Sequence, residues 1–419
     1  MAKPVKSPVI LYVTRDIERA LGVQPSADYY IVANKTAYAE SIKKSYPDFI
    51  HLIETTREDG DLLDTRELLD NKALHSLIED MGAENISIIV FKNTSQIEEI
   101  CKKNNWNLVN PSSVLAEKIE NKMTQVEYLG ALGNTYLPPH SLITAKDIIW
   151  SKKPLIIQWA HSHTGLGTTL VNSNDELNAV QEKFPERLAR VTSYVHGPSF
   201  TLNVVVDDAT IYLGNISYQI TGIPPFTENL FTTIGNDWSL THSLLNEDEI
   251  GVIESMATDI AKKLQSDGWR GLFGIDVMRD DELNKIFLIE INARQPASTT
   301  YESQLQQKNR ELGVDGQTIF EAHLKALTSR FNLEVEPRGA AIIPINDGSQ
   351  IIQRVTRITQ SISDKQINAL TTLGHQTILY PNIDENADLL RIQSILGIME
   401  THGRFNKRGK EILEILNVQ

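Results

Sequence analysis

Two short segments of the sequence, GLFGIDV and LIEINAR, combine acidic, amide and basic side chains with strand-like spacing. If the second segment is a strand, Glu290, Asn292 and Arg294 share one face, because successive side chains of a strand point to opposite faces. A hairpin between the two segments would place Asp276 beside Glu290. Two carboxylates and an amide oxygen are hard ligands that suit Mg²⁺, which keeps several waters and binds substrate phosphates. This pattern therefore predicts a magnesium site that takes a nucleotide.

The alternative interpretation of the same alternation is a solvated face of an antiparallel strand. The polar positions lie in an otherwise apolar run, FLIEINARQP, and the preceding strand is flanked by glycines. An alternating polar face in such surroundings is typical of the interior of a cleft. We therefore adopt the binding site as our interpretation.

Length, charge and cysteine content restrict the class of protein. The chain has 419 residues and a formal net charge of −14, which argues against non-specific binding to nucleic acid or to an anionic membrane. A single cysteine, Cys101, allows no internal disulfide and no thiolate zinc site, as is usual in a reducing compartment. The start of the sequence has too short an apolar run for a signal peptide. We expect a soluble, cytoplasmic protein of several domains.

The first 110 residues alternate between short apolar runs and helix-length stretches, Thr65–Met81 and Ser95–Asn104. This alternation predicts a doubly wound parallel sheet with crossover helices. The apolar runs are Val9–Val13, Tyr29–Val32, Phe49–Ile53 and Ile86–Phe91. The turn after the first run reads Thr14-Arg15-Asp16 and lacks the GxGxxG pattern that lets a backbone approach a pyrophosphate. A dinucleotide site in this domain is therefore not expected.

A long amphipathic helix is predicted from Ser112 or Ser113 to Gly133, and the remainder of the chain is rich in strands. One helix, Glu247–Ser266, interrupts these strands. The order of the strand-like and helix-like segments indicates an α/β and α+β multidomain protein. The expected domains are 1–110, an α/β domain; 111–335, a central domain with lobes at 140–195 and 196–335; and 336–419, a small C-terminal α+β unit.

The ordered set of motifs resembles the ATP-grasp superfamily of carboxylate–amine ligases, and the resemblance spans roughly residues 8 to 415. The run EINARQPAS from Glu290 to Ser298 is most similar to the branch that holds biotin carboxylase, carbamoyl phosphate synthetase and the amino-acid ligase of pyrrolysine biosynthesis. The other motifs are Asn121-Lys122, the loop His163–Thr168, the hinge Tyr194–Gly197 and Gly271…Asp276. The resemblance implies an ATP-grasp fold in the central domain.

The resemblance also implies a role for each matching residue. Asp276, Glu290 and Asn292 would hold Mg²⁺, or Mn²⁺, and Arg294 would be catalytic by stabilising an acyl phosphate. The implied ATP contacts come from Lys122, Gln158, His163, Thr164, Gly165, Gly167, Thr168, Tyr194 and Val195. Substrate contacts are expected from a polar segment between the hinge and the metal strands and from the residues after Arg294, namely Tyr218, Gln219, Thr221, Gln295 and Ser298.

Two departures from the family pattern concern ATP binding. Gln158 stands where the strand before the glycine loop normally ends in a lysine, and either His161 or His163 could supply the missing charge. The hinge has Thr192-Ser193 where an acidic residue is usual. The departures leave open a divergent enzyme or a catalytically degenerate, ATP-binding regulatory protein.

The expected function is that of an enzyme, an ATP-dependent ligase that activates a carboxylate as an acyl phosphate and joins it to an amine. The amide would be of the amino-acid or small-peptide type, with release of ADP and phosphate. A biotin-carboxylase-like enzyme that activates bicarbonate is the alternative within the superfamily. We expect small-molecule substrates, no nucleic-acid or membrane partner, and leave a homodimer open. The sequence does not identify the acid or the amine.

Overall fold

The computed structural model describes residues 9–55, 61–82, 84, 86–160, 167–328 and 341–417. In this part of the chain, an N-terminal parallel sheet precedes a small and a large antiparallel sheet. Within the described residues, no helix combines the length and the apolar character that crossing a membrane requires.

The N-terminal sheet is parallel throughout and has the strand order β3-β2-β1-β4-β5. Its strands are β1 Val9–Thr14, β2 Tyr29–Asn34, β3 Ile50–Ile53, β4 Ile86–Val90 and β5 Asn107–Leu108. Its helices are α1 Ala37–Lys43, α2 Thr65–Leu69, α3 Lys72–Met81 and α4 Ser95–Lys103. Alternate residues of β1 enter separate cores on the two faces of the sheet, Leu11 on one side and Tyr12 on the other. The predicted doubly wound sheet is confirmed.

Three short helices connect this sheet to the rest of the chain: α5 Ser113–Glu120, α6 Lys122–Leu129 and α7 Ala131–Tyr136. The prediction of one long helix ending at Gly133 is wrong. Asn121 has an extended backbone, with φ −67° and ψ 120°, and its side chain caps α6 by accepting a hydrogen bond from the Met123 N–H. Gly130, at φ +54°, separates α6 from α7. The break at Asn121 makes Lys122 the first residue of a new helix.

The small antiparallel sheet has the order β6-β9-β7-β8 and is covered by one helix. Its elements are β6 His140–Thr144, β7 Leu155–Gln158, β8 Thr168–Val171, α8 Asn174–Lys183 and β9 Leu188–Ser193. Ile157, Val171 and Leu177 contribute to its own apolar core. The opposite face of this sheet carries the polar side chains described below.

The large sheet has the order β15-β14-β10-β12-β13-β16-β18-β17, with β11 paired to β10. Its strands are β10 Ser199–Val206, β11 Ile211–Leu213, β12 Ser217–Thr221, β13 Thr233–Asp237, β14 Gly271–Asp280, β15 Lys285–Asn292, β16 Ser349–Arg354, β17 Gln376–Leu379 and β18 Asp388–Ser394. The associated helices are α9 Trp238–Leu244, α10 Glu247–Ser266, α11 Thr299–Glu311, α12 Ile319–Leu327, α13 Asp364–Thr372 and α14 Lys407–Asn417. A separate hairpin of β19 Met399–Thr401 and β20 Arg404–Phe405 precedes α14. Because β16 pairs with β13, the C-terminal strands extend the central sheet.

The two faces of the large sheet differ in polarity. Phe200, Tyr218 and Ile275 lie on the face that packs into the main apolar core, which also takes in the buried side of α10. Their strand neighbours, such as Thr201 and Gln219, therefore point to the opposite face. The polar side chains that could bind a ligand or take part in a reaction lie on this opposite face of the large sheet.

Candidate active site

The β14–β15 hairpin brings together the acidic residues that the sequence singles out. Asp276 pairs with Glu290, and Gly274 pairs with Asn292, in an antiparallel register with an irregularity after Asp276. The predicted juxtaposition of the two carboxylates is confirmed. A side chain at Gly274 would place its Cβ 2.6 Å from Cγ of Pro296, so glycine allows the segment after β15 to cross the hairpin closely.

Asp276 accepts hydrogen bonds from three neighbouring side chains. Thr201 Oγ1 and Gln219 Nε2 each lie 2.7 Å from its Oδ1, and Asn292 Nδ2 lies 3.0 Å from its Oδ2. Burial, followed by repulsion from the Glu290 carboxylate, raises the pKa of Asp276 to about 6. The fold thus holds a carboxylate in a position where its charge is disfavoured, which is common where a cation or a proton is handled.

Lys122 reaches the hairpin from the start of α6 and forms an ion pair with Glu290, with 2.7 Å between Nζ and Oε1. Burial lowers the pKa of Lys122, although Glu290 acts in the opposite direction. Burial favours a higher pKa for Glu290, but Lys122, Arg294 and Arg190 together outweigh it and hold the pKa below its ordinary value. The Glu290 side chain remains 39% exposed, so the ion pair lies at an accessible edge of the site.

Arg294 follows β15 and is held by two oxygens. One guanidinium nitrogen donates to Asn292 Oδ1 at 2.9 Å, and Nε lies 3.4 Å from a carboxylate oxygen of Glu120 on α5. Glu120 also accepts from Lys92, at 2.6 Å. This arrangement keeps a guanidinium next to the amide that adjoins Asp276.

Gln158 ends β7 directly opposite Arg190 of β9, and the two side chains are hydrogen-bonded. Nε and Nη2 of Arg190 donate to Gln158 Oε1 at 2.9 and 2.6 Å. The other contacts of the guanidinium are to Gln125 Oε1 at 2.8 Å and to the Ile289 carbonyl at 3.1 Å. Arg190 is 2% exposed, and burial lowers its pKa to about 10 against an attraction to Glu290.

Arg190 is the main residue of this site that the sequence reasoning misses. A charged residue within the β-rich run Leu188–Val195 is the available signal. Its neighbour across the sheet depends on strand register, which the sequence does not specify when both candidate strands are short. Thr201 and Gln125 are also missed, because their contacts with Asp276 and Arg190 are made only when distant segments pack together.

The remaining residues expected to contact ATP fall into three groups, one at the start of β8, one at the hinge and one outside the described residues. Thr168 begins β8, and Gly167 accepts a hydrogen bond from the Trp159 N–H at 3.2 Å. At the hinge, the Tyr194 N–H donates to the Pro154 carbonyl at 3.3 Å, and Val195 is buried. His163, Thr164 and Gly165 lie outside the described residues, as does His161.

The five residues expected to contact substrate are not brought together. Gln219 lies at Asp276, and Thr221 follows two positions later on the same strand. Tyr218 points to the opposite face, where its hydroxyl lies 2.9 Å from His402 Nδ1. Gln295 and Ser298 lie beyond Arg294 and contact other parts of the fold, Tyr12 and Asn203 respectively. Only Gln219 therefore directly contacts the acidic pair.

The donor set fits a cation that is shared with a phosphorylated ligand. Within the described ranges, no three His, Cys, Asp or Glu side chains converge as a metal site of their own. Asp276, Glu290 and the amide of Asn292 instead supply two carboxylates and one amide oxygen. Mg²⁺ commonly binds with one or two carboxylates and completes its coordination with waters and substrate phosphates.

Comparisons with known proteins agree with this geometry. Residues 119–298 match the family model of the ATP-grasp domain. This range includes Lys122, Arg190, Asp276 and Glu290, although it stops short of the C-terminal third of the chain. A comparison with curated protein sequences finds no match.

Solved structures of low sequence identity share the fold over nearly the whole chain. An N5-carboxyaminoimidazole synthetase from Staphylococcus aureus, complexed with ADP, is 13% identical, with 98% of this chain and 97% of that chain covered and a TM-score of 0.62. An L-amino acid ligase from Bacillus licheniformis is 13% identical, with 98% of both chains covered and a TM-score of 0.59. A biotin carboxylase from Campylobacter jejuni, as a β-γ-ATP complex, is 15% identical over 93% of this chain and 87% of that chain, with a TM-score of 0.59. The chain thus contains a segment, residues 119–298, that matches the ATP-grasp domain, and it shares its fold with these solved structures, which confirms the ATP-grasp fold predicted from its motifs.

Proposed function

We propose that this chain is an ATP-dependent ligase that forms a C–N bond. A carboxylate oxygen attacks the γ-phosphorus of ATP, giving an acyl phosphate and ADP. An amine then attacks the acyl carbon, and phosphate leaves as the amide forms and the amine loses a proton. The observation that carries the proposal is the ion pair between the buried Lys122 and the partly exposed Glu290, beside Asp276 and within a matched ATP-grasp domain.

The proposed chemistry depends on positioning and charge neutralisation more than on covalent participation by the protein. Lys122 supplies a buried ammonium that a phosphate can share with Glu290. Asp276, Glu290 and Asn292 would hold Mg²⁺, or Mn²⁺, which when bound neutralises phosphate charge. Because the Asn292 side-chain amide N–H donates to Asp276, these two side chains are held next to each other before any ligand arrives.

Arg294 is proposed to stabilise the charge that develops on the acyl phosphate. Its guanidinium is fixed by Asn292 and Glu120, and a quarter of its side chain is exposed. A fixed donor aimed at developing charge lowers the barrier because it needs no reorganisation during the reaction. Gln219, the expected substrate residue that contacts Asp276, is the one that this proposal places nearest to the reacting groups.

A bicarbonate-activating enzyme is the second candidate, because a biotin carboxylase is among the structures that share the fold. The two candidates use the same ATP chemistry and differ in the acid. Phosphate release that depends on bicarbonate supports the second candidate, and release that depends on an organic acid supports the first.

The test is a screen for phosphate release from MgATP over amino acids, other small carboxylates and bicarbonate, singly and in pairs. The ligase proposal predicts release that requires one acid and one amine together, with ADP formed in equal amount. Glu290→Gln is the inactive control, and Glu282→Gln, on the exposed turn of the same hairpin, is its matched active control. ATP binding without release in any combination would instead indicate a regulatory protein.

A further inference from the structure

We propose that Arg190 is the strand-borne cation that binds the phosphates of ATP in this chain, so that the charge has moved from β7 to the neighbouring strand β9. The inference rests on the proposed function and adds to it a residue that the sequence resemblance does not indicate. It also accounts for Gln158 at the position where a lysine is usual.

The register of β7 and β9 places the Gln158 and Arg190 side chains next to each other. Gln158 and Arg190 are directly opposed in an antiparallel pair, so their side chains leave the same face of the sheet at neighbouring positions. Gln158 Oε1 accepts two N–H groups of Arg190, at 2.9 and 2.6 Å. A neutral acceptor at position 158 fits this contact, whereas a lysine there would face a second cation.

The hydrogen-bond partners that the structure describes for Arg190 leave its positive charge without a direct counter-charge. In the described part of the chain, the hydrogen-bond partners of the guanidinium are neutral oxygens, from Gln158, Gln125 and the Ile289 carbonyl. A buried charge is costly unless an opposite charge compensates it. Lys122 has Glu290 in direct contact, whereas Arg190 is attracted to the same carboxylate only at longer range. The site therefore carries a buried positive charge that a phosphate group would neutralise.

Arg190 also lies close to the Lys122–Glu290 ion pair. Gln125 lies three residues after Lys122 on the same short helix, so these two side chains are neighbours on one face. Ile289 directly precedes Glu290 on β15. The guanidinium thus lies between the helix that carries Lys122 and the strand that carries Glu290. A phosphate bound between Lys122 and the acidic pair would be within reach of Arg190, whose planar fork suits phosphate oxygens.

A purely structural role is the competing explanation, since Arg190 also links β7, α6 and β15. The two roles differ in how the effect of a substitution depends on the ligand. If Arg190 binds phosphate, its loss lowers the affinity for a ligand more, the more phosphate groups the ligand carries. If Arg190 only links these elements, its loss lowers the affinities for adenosine, AMP, ADP and ATP equally, or it lowers only the unfolding temperature.

The test is calorimetric titration of Arg190→Gln with ATP, ADP, AMP and adenosine in the presence of Mg²⁺. We expect the ATP and ADP affinities to fall by about 10- to 100-fold, since a charge-assisted hydrogen bond is lost. The affinity for adenosine should change less than about 3-fold. Unfolding temperatures without nucleotide, measured on the same samples, separate misfolding from loss of binding.

The charge-swapped double variant, Gln158→Lys with Arg190→Gln, tests the proposal even if the single variant does not fold. It restores one cation facing one amide and places the lysine at the strand position usual for the family. We expect it to bind ATP within about 5-fold of wild type. A folded double variant that binds ATP no better than Arg190→Gln contradicts the proposal.

The outcomes distinguish this inference from the function on which it rests. Wild-type ATP affinity in Arg190→Gln, together with loss of binding in Lys122→Gln, overturns the role of Arg190 and leaves the ligase proposal intact. A wild-type chain that binds no ATP with Mg²⁺ overturns both.

Discussion

The acidic and basic residues of the site are held in states that water would not favour. Asp276 has a raised pKa because it is buried next to Glu290, while Lys122 has a lowered pKa because it is buried. A charged ligand would compensate these groups better than the protein does alone. A substitution that removes such a charge should therefore preserve the fold while it abolishes function.

Asp276→Asn tests this expectation at the residue scale. A carboxyl group whose pKa is raised on folding binds protons more tightly in the native state, so its contribution to stability falls as pH rises from about 4 to about 6. The amide carries no such charge. At pH 7 the variant should unfold at the same temperature as wild type or higher, while MgATP-dependent phosphate release falls by about 10²–10³. Thermal unfolding and phosphate release on one preparation are the measurements.

Glu282→Gln, in the exposed hairpin turn, is the matched control and should change neither quantity. A variant at Asp276 that retains wild-type turnover would falsify the assignment of this carboxylate to the site. A variant that loses activity only because it unfolds below the assay temperature would contradict the expected stability.

At the element scale, the sequence predicts regular segments well and misses breaks that serve the site. Helix Glu247–Ser266 has the predicted bounds because a capping box and a sustained apolar period define it locally. The long helix predicted to end at Gly133 is instead three helices. Its amphipathic period continues through Asn121, so the period alone cannot reveal the break there. The break is stabilised by tertiary contacts, in which Lys122 reaches Glu290.

Asn121→Ala should destabilise the break between α5 and α6 and leave Lys122 less well positioned. The Asn121 side chain accepts the Met123 N–H at 3.0 Å, and losing such a cap costs about 0.5–2 kcal/mol. We expect the free energy of unfolding to fall by about 1 kcal/mol and the ATP affinity to decrease. Denaturant unfolding and calorimetry measure the two effects. Asn134→Ala, an exposed position within α7, is the control; an equal loss there would argue against the capping role.

Helix α11 contains a buried carboxyl group that the sequence pattern does not reveal. Glu302 accepts hydrogen bonds from Asn203 and from the N–H of Asn215, and it is fully buried. Its polar neighbours make the segment look exposed when hydropathy alone is considered. The contacts instead fix α11 to the large sheet beside the site.

Burial raises the pKa of Glu302 to about 7, and this predicts a pH-dependent stability. Because the folded state holds the proton until about pH 7, while the unfolded carboxyl loses it near 4.5, stability falls as pH rises through this window. Glu302→Gln removes the titration. The free energy of unfolding of wild type relative to this variant should decline between pH 4.5 and 7, by at most roughly 3 kcal/mol. Parallel profiles for the two proteins would contradict the prediction.

At the scale of the whole molecule, the N-terminal parallel sheet and the β14–β15 hairpin follow from local patterns. The packing between the segments does not. Gln295, expected to contact substrate, accepts a hydrogen bond from Tyr12 of the N-terminal sheet at 2.6 Å. Tyr380 of the C-terminal region donates to Glu18 at 2.6 Å. Such contacts join residues hundreds of positions apart, and no local periodicity encodes them.

The most direct test of the ligase account is to follow an oxygen label from the carboxylate. The acid identified by the phosphate-release screen is prepared with ¹⁸O in its carboxyl group and incubated with MgATP and the amine. If the carboxylate is activated as an acyl phosphate, each phosphate released carries one ¹⁸O, because the bridging oxygen leaves with the phosphorus when the amine attacks. Glu290→Gln should release little phosphate of either kind. Unlabelled phosphate, or label found in AMP with pyrophosphate as the second product, would contradict the account.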